Sequence, residues 1–393
     1  MFFREKLDNV KIINFTRIMK SMIVLWPVII LIYLSKGLSF FEVGILNSIG
    51  SIVIAIMEVP LGVFADRLGR RKNLVIGYFL NLIFIIILCL GKTFTTIMIS
   101  EIIFSIATCF ISGTDSSILY DSLKKYGKEN EYSEILSKNS SRTIFISIFI
   151  SIIATYLYQM NKHLIYIISI AIYFIIFLSV FFIKESDIYK EEGEDSLTEF
   201  SSFGILKSSI FTKYKTFIFL SLFSSLMILL ASNLDQFTSP ILISHGLELK
   251  YTGFIIAGSK VLSIILLRNR EYILNIFKEK TFMIITLLTT AILTLLLLID
   301  GLYYWIIVIS VVAAFDDFVQ PIIAEKINAI IDSKNRTTML SISSLLDNAF
   351  FTIGDPAFGY GVDRLGYSKS YGIFGVVMFV GVIICERIRK NRS

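Results

Sequence analysis

Charged side chains interrupt several segments of this chain that are otherwise apolar. They are Glu58, Glu101, Asp115, Asp235, Lys260, Asp316, Asp317, Glu325, Asp347 and Asp355. If those segments cross a bilayer, a charge at mid-depth costs about 2.5–3.5 kcal/mol even on insertion scales. A charged residue kept there normally faces a water-filled cavity, pairs with an opposite charge or takes part in the function. These positions are therefore the first candidates for functional residues.

The deepest of these charges are Asp115, Asp235 and the pair Asp316–Asp317. Neighbouring residues of a helix point about 100° apart, so one member of the pair is expected to face a polar interior. Lys260 is expected to pair with one of these acids within the membrane, ahead of direct contact with a ligand.

Three further acids lie near the ends of their apolar segments. For Glu101, Glu325 and Asp355, the favoured interpretation is an interfacial side chain that reaches polar surroundings.

The elements that carry these residues are predicted membrane-spanning helices. The 393 residues are 55% hydrophobic and 17% charged, whereas soluble domains are about a quarter charged. Apolar runs of about 18 residues or more indicate spanning helices. Twelve such runs lie near 15–34, 41–64, 73–91, 94–118, 141–159, 164–183, 215–243, 251–267, 281–299, 302–324, 338–358 and 370–385. The predicted fold class is an all-α polytopic membrane protein.

The distribution of basic residues predicts the orientation. With the N-terminus inside, 30 of the 37 Lys and Arg residues lie in or at the edges of inner segments, and Lys260 lies within a span. The outer loops hold Lys36, Lys92, Lys162, Lys250, Arg364 and Lys369. Because Lys and Arg gather on the cytoplasmic side, both termini are predicted to be cytoplasmic. The net charge of +6 is then explained by the basic residues of the cytoplasmic segments and does not indicate nucleic-acid binding.

The longest polar connection, residues 184–213, follows the sixth predicted span. It predicts an N-terminal six-helix bundle over 1–183, a cytoplasmic linker over 184–213 and a C-terminal six-helix bundle over 214–393. The two bundles are expected to be pseudo-symmetric.

Nothing in the pattern favours catalysis. The two histidines, His163 and His245, fall in predicted outer loops and have neither a nucleophile motif nor metal-ligand spacing around them. The sequence therefore predicts no enzyme activity, no metal and no cofactor.

A dense charge cluster, GVFADRLGRRK at residues 62–72, separates the second and third predicted spans. Gly62 permits close backbone approach, Gly69 permits a tight turn, and Asp66 would lie at a helix end among arginines. The cluster resembles the signature loop of the major facilitator superfamily. A fainter G-x-x-x-D-R-L-G copy follows span eleven at 359–366, on the predicted outer side, as inverted repeats would leave.

The resemblance implies a gate on the cytoplasmic side. In that superfamily the acid and arginine of the loop hold the inward-closed gate with an acid ending span four and with the start of span eleven. Here the roles would fall to Asp66, Arg70 and Asp121, with span eleven starting near Thr337. The conformational switch would comprise Gly62, Asp66, Arg67, Gly69, Arg70, Arg71 and Asp121.

Further stretches resemble bacterial twelve-helix drug/proton antiporter-type members. They are Glu58-Val-Pro60, Ser112-Gly113 with Tyr120-Asp121, and Arg336–Ser341. Two features of those antiporters are absent: no base occurs between Glu101 and Asp121, and the Gly- and Pro-rich pattern is missing from 141–159.

The resemblance implies a transporter of two six-helix bundles around a central cavity. The expected function is proton-coupled export of small amphipathic or drug-like molecules by a monomer in the cell membrane. The expected partners are the substrate, protons and the lipid bilayer, with no nucleic acid. Alternatives are uptake of a nutrient, movement of a lipid-like metabolite, or a non-transporting membrane sensor.

The candidates for proton coupling or substrate binding are Asp115, Asp235, Asp316, Asp317, Lys260 and Glu58. Asp115 is the first candidate for the proton carrier, since span four supplies coupling acids in related antiporters. Asp235 is expected to act as a counter-charge for a cationic ligand.

Overall fold

The computed structural model of the protein describes residues 8–184, 215–276, 279–331 and 336–390. Some side chains within its helices, including those of residues 62–67, also lie outside the described part. The predicted linker, apart from Lys184, lies outside it too. Every regular element of the described ranges is helical, which confirms the all-α class.

The helices of the first half alternate with short connections. They are α1 (Asp8–Ser21), α2 (Ile29–Ser35), α3 (Phe40–Leu68), α4 (Arg70–Leu90), α5 (Phe94–Ile111), α6 (Thr114–Lys124), α7 (Tyr132–Met160) and α8 (Lys162–Val180). The first predicted span is broken: a 3₁₀ turn at Trp26–Val28 separates α1 from α2. Pro27 removes a backbone donor there, which explains the break. Span four is likewise divided, because α5 ends before Gly113 and α6 follows it.

The second half continues in the same way. Its helices are α9 (Lys215–Ser244), α10 (Leu249–Arg268), α11 (Arg270–Ile276), α12 (Glu279–Leu296), α13 (Leu302–Ile330), α14 (Arg336–Leu365) and α15 (Tyr367–Lys390). Nine helical segments of the described ranges are long and apolar enough to cross a bilayer, and a shorter apolar one covers Leu288–Ile299. The chain is a multi-pass membrane protein.

The chain divides into two compact units. One comprises Met1–Ile29 and Ile49–Phe200, and the other comprises Ile30–Ser48 and Ser201–Ser393. Helix α3 therefore changes unit near residue 48: its first turns belong to the second unit and the rest to the first. The division at 184–213 into two six-helix bundles stays a prediction.

Each unit has its own packing. In the first, α4 runs along α5 and contacts α8, while α1 contacts α6, α7 and α8. An apolar cluster that includes Ile13, Leu74 and Leu119 fills the space between these helices. In the second, α13 lies against α9 and α10, and α14 packs on α9 and α15. These contacts place the charged residues of α9, α10, α13 and α14 side by side.

Candidate functional site

A lysine and an aspartate meet between α10 and α13 in the second unit. Lys260 Nζ lies 3.4 Å from Oδ2 of Asp317, and the Ser263 hydroxyl donates to the same oxygen at 2.7 Å. The two charged side chains keep 26% and 36% of their surface exposed. The pair is thus partly accessible. Asp317 has two partners, the charged Lys260 and the neutral Ser263 hydroxyl.

Asp316 has different partners from its neighbour. Its Oδ1 accepts a hydrogen bond from Gln320 Nε2 at 2.9 Å, one turn further along α13. The Gln320 amide oxygen in turn accepts from the Ser224 hydroxyl of α9 at 2.8 Å. The two adjacent carboxylates therefore face different groups, as their spacing on a helix requires.

Asp235 completes this group from α9. It is an exposed residue, and Lys260 interacts electrostatically with Asp235, Asp317 and Asp316. One lysine therefore interacts with three carboxyl groups, of which that of Asp317 is in contact with it. Such a group binds a proton or a cationic ligand more readily than an anion. We call Asp235, Lys260, Asp316 and Asp317 the acidic cluster.

Two more acids of the second unit are bound to neutral partners. Asp347 accepts from the Ser225 hydroxyl at 2.6 Å. Asp355 accepts from the Asn233 amide at 2.9 Å and is only 3% exposed. The sequence placed Asp355 near a span end, where an interfacial side chain was expected, but it is buried against α9. The cause is the close packing of α14 on α9.

Asp115 in the first unit is paired with a base that the sequence analysis did not single out. Arg17 of α1 donates from Nε to Asp115 Oδ2 at 3.1 Å and from a terminal nitrogen to the Ser116 hydroxyl at 3.0 Å. The first expected proton carrier is therefore in an ion pair. Arg17 is one of the 30 basic residues that the sequence analysis counted in or at the edges of the inner segments, and α1 continues beyond it to Ser21. The available signal was that Arg17 lies within the first predicted span, 15–34.

The residues of the signature loop are partly described. Gly69 has a φ of +91°, a region that favours glycine, and separates α3 from α4. Arg70 forms an ion pair with Asp121, and Arg71 donates to the Phe181 carbonyl at 2.7 Å. These contacts lie within the first unit. The side chains of Gly62, Asp66 and Arg67, and that of Thr337, lie outside the described part.

The other candidates near span ends lie apart from the acidic cluster. Glu58 of α3 is exposed, and Glu325 forms an ion pair with Arg270. Glu101 of α5 lies beside the backbone of Gly50. Within the described ranges, no group of three or more His, Cys, Asp or Glu side chains is arranged to hold a metal ion.

A polar cluster lies at the predicted outer end of the second unit. His245 Nε2 is 2.8 Å from Oδ1 of Asp300, and the Ser368 hydroxyl donates to the same oxygen. These hydrogen bonds, that of Ser368 first, hold the pKa of Asp300 below its usual range. This cluster ties α9, the loop before α13 and α15 together.

The helical fold and its long apolar segments define a polytopic membrane protein. Its sequence matches the family model of the Major Facilitator Superfamily over residues 12–269 and 271–392. The chain therefore belongs to this superfamily of transporters, which are not enzymes.

Known proteins similar to this chain share its full length. An uncharacterized MFS-type transporter YxaM of Bacillus subtilis (strain 168) is 21% identical over 372 residues, which cover 93% of this chain and 92% of the relative. The crystal structure of the nucleoside transporter NupG has a TM-score of 0.72 at 14% identity and covers 98% of this chain and 99% of its own. The crystal structure of a D-xylose-proton symporter has a TM-score of 0.74 at 15% identity, and the match covers 99% of this chain and 97% of the symporter. These structures share the fold.

Proposed function

We propose that the protein couples a proton gradient to the export of small amphipathic or drug-like molecules, with a preference for those that carry a cationic group. The observation that carries this proposal is the acidic cluster, in which Lys260 lies among Asp235, Asp316 and Asp317. Charges within spans are costly unless they face water, find partners or act in transport. A cluster with an excess of carboxylates suits protons and cations.

The proton carrier is assigned to the second unit in this proposal. A carrier must release and regain its proton in each cycle, whereas a nearby arginine keeps a carboxylate charged. Arg17 contacts Asp115 in this way. Asp317 has a lysine and one neutral donor, the Ser263 hydroxyl, and Asp235 interacts with the same lysine, so we favour these two over Asp115. In this proposal, protonation of one of them releases Lys260 to the other.

The ion pair of Arg70 with Asp121 supports a gate at the signature loop. It joins the start of α4 to α6 through two opposite charges, and the side chains of Arg70 and Asp121 are 23% and 15% exposed. We propose that Asp66, Arg67 and Arg71, together with Gly62 and Gly69, complete the switch. The loop would then hold the cytoplasmic side closed in one state of the cycle and release it in the other.

The direction of transport is the main alternative within the class. Export follows from the resemblance of Glu58-Val-Pro60 and Tyr120-Asp121 to efflux-type members. The solved xylose-proton symporter shares the fold alone, so uptake of a nutrient, or movement of a lipid-like metabolite, is an outcome that the assay distinguishes. A non-transporting sensor is the alternative of another class, and it would bind a ligand without moving protons.

The decisive experiment measures proton flux in proteoliposomes. Purified protein is reconstituted with a pH-sensitive dye inside, an outward or inward proton gradient is applied, and ethidium is added as the cationic probe, with xylose and uridine as neutral probes. Export coupled to protons predicts a flux that depends on ethidium and on the gradient. Flux with xylose or uridine indicates uptake or another substrate, and binding without flux indicates a sensor.

We further propose a monomer in the cell membrane with both termini in the cytoplasm. The basic asymmetry of the loops supports this orientation. Tags at the two termini and within 184–213 should react only after the membrane is permeabilised. A tag in 184–213 that reacts in intact cells contradicts the orientation.

A further inference from the structure

The end of α1 in the first unit carries two basic side chains one turn apart, Arg17 and Lys20. Because residues three apart on a helix are neighbours, both lie on the same side of α1. Arg17 is bound to α6: its Nε donates to Asp115 Oδ2 at 3.1 Å, and a terminal nitrogen donates to the Ser116 hydroxyl at 3.0 Å. The proposed function makes no use of Lys20.

The one carboxylate beside these bases already has partners on both oxygens. In addition to the bond from Arg17, Asp115 Oδ1 accepts from the Ser116 N–H at 2.7 Å and from its hydroxyl at 3.3 Å. Lys20 interacts electrostatically with Asp115 and Arg17, but within the described ranges no hydrogen bond or ion pair engages its ammonium group. The three N–H donors of Lys20 are therefore available to a ligand.

Lys20 lies on the packed side of α1. Ile13 and Thr16, seven and four residues before it on the same face, are both buried. Phe15, which is exposed, points about 140° away from Lys20, since five residues separate them. Lys20 is nevertheless exposed. Its exposure therefore indicates a recess beside the packed side of α1, whereas a lysine that extends through lipid to the membrane surface would lie on the side of Phe15.

The break in span four brings polar groups to this recess. Gly113 has a φ of +74° and α6 begins at Thr114, so Asp115 and Ser116 belong to its first turn. Tyr78 of α4, which is buried, interacts electrostatically with Asp115. Interrupted spanning helices are a recurrent feature of ligand sites in transporters. The bases of α1 thus lie beside an interrupted span.

We propose that Arg17 and Lys20 form a basic site that binds one anionic group, a carboxylate or a phosphate. Lys20 supplies its ammonium, and Arg17 supplies the terminal N–H groups that Ser116 leaves unused, because a guanidinium has five N–H donors. Asp115 holds Arg17 in place and does not contact the ligand. The anionic group belongs to a soluble molecule or to the headgroup of an acidic lipid. The basic site goes beyond the proposed function, which depends on the second unit.

The test measures the binding of anions to the purified full chain in dodecylmaltoside. Inorganic phosphate and acetate are added at constant ionic strength, and binding is followed by thermal unfolding and titration calorimetry. We expect phosphate to raise the melting temperature, because a ligand that binds only the folded state stabilises it. Lys20→Gln should weaken phosphate binding about tenfold or more, since a hydrogen bond to a charged group contributes about that much.

Two variants serve as controls for Lys20→Gln. Lys20→Arg keeps a cation at the same position and should keep most of the affinity for phosphate. Lys11→Gln removes another exposed lysine of α1, which lies nine residues earlier, and should bind phosphate as the parent does. A loss in Lys20→Gln alone therefore identifies the position and not the total charge of the helix.

A second arm of the experiment identifies the source of the anionic group. Phosphatidylglycerol is added to the same micelles, with phosphatidylcholine as the lipid without net charge. Stabilisation by phosphatidylglycerol that Lys20→Gln abolishes, without any effect of phosphate or acetate, assigns the site to a lipid headgroup. Stabilisation by either free anion that Lys20→Gln abolishes assigns it to a soluble molecule.

Two results would overturn the basic site. One is equal stabilisation of the parent and of Lys20→Gln by each probe that has an effect. The other is that phosphate, acetate and phosphatidylglycerol all leave the melting temperature of the parent unchanged. If Lys20→Gln does not fold, Lys20→Met, which keeps most of the apolar stem, takes its place. Because binding is measured without transport, the basic site can fail or stand independently of proton-coupled export.

Discussion

Lys260 and Asp317 are 57 residues apart in sequence, and their charged groups lie 3.4 Å apart between α10 and α13. Asp235 and Asp316 act on the same lysine. The contact gives the second unit one cation with which several carboxyl groups interact.

The first prediction concerns the strength of the Lys260–Asp317 pair. Lys260→Met should lower the melting temperature because it leaves carboxylates without their cation. The double variant with Asp317→Asn should lose less free energy of unfolding than the two single variants lose together. The difference, which is the coupling energy of the pair, should be about 0.5–3 kcal/mol. Thermal unfolding of the four proteins in detergent measures it. The matched control is the pair Lys138–Glu134, which is 61% and 63% exposed and should couple much more weakly because solvent screens it. Additive effects at Lys260 and Asp317 would contradict the pair.

The second prediction separates the proton carrier from structural acids. Asp317→Asn or Asp235→Asn should abolish gradient-driven accumulation of ethidium while leaving counterflow, which needs no net proton movement. Asp115→Asn should instead reduce the amount of folded protein, since it leaves Arg17 without its partner. Proton flux and counterflow are measured on equal amounts of monodisperse protein. If both Asp317→Asn and Asp235→Asn keep full uphill transport, neither residue is the proton carrier, and Asp115 or Asp316 becomes the candidate.

The third prediction concerns the cytoplasmic gate. Arg70→Gln and Asp121→Asn should each raise labelling of a single cysteine introduced at the inner mouth, because each removes one side of the same ion pair. The double variant should be no more open than either single one, since the pair can be broken only once. Lys72→Gln removes a charge of the same loop at an exposed position and serves as the control. Equal labelling in all variants would show that the cluster acts on topology alone.

The fourth prediction is a pH dependence at the outer end. Hydrogen bonds from Ser368 and His245 hold the pKa of Asp300 below its usual range. The ionised carboxylate therefore stabilises the fold at every pH above the pKa that Asp300 has in the unfolded chain, about 3.9. This stabilisation is lost as the pH falls through the lower pKa that Asp300 has in the folded protein. Asp300→Asn should therefore unfold at a lower temperature than the parent at pH 7, and the difference should shrink towards pH 3.

The substitution at Asp300 is chosen to leave the backbone unchanged. Asp300 has a φ of 54°, and asparagine accepts this left-handed conformation as aspartate does. Ser368→Ala, which removes the first of the two hydrogen bonds, should reduce the same pH-dependent difference. A destabilisation that is equal at pH 7 and pH 3 would mean that the carboxylate charge is not the cause.

The sequence by itself determined the class of this protein and the location of most of its apolar helices: nine of the helical segments in the described ranges are long and apolar enough to cross a bilayer. Apolar runs long enough to cross a bilayer, with charge gathered between them, specify spanning helices without any tertiary information, because backbone groups in hydrocarbon must be satisfied within each helix. The signature loop at 62–72 was sufficient for the family, since its glycines, acid and arginines are contiguous. The break at Pro27 and the turn at Gly69 also follow from local chemistry.

The tertiary structure alone decided which charge meets which partner. Arg17 and Asp115 are 98 residues apart, and Lys260 and Asp317 are 57 apart, so no local period relates them. The sequence counted Arg17 as a cytoplasmic edge residue and Asp355 as an interfacial one, yet helix packing gave the first a carboxylate and buried the second. A helical pattern fixes the face on which a side chain lies. The partner of that face depends on how helices distant in sequence pack together, and this packing placed the acidic cluster.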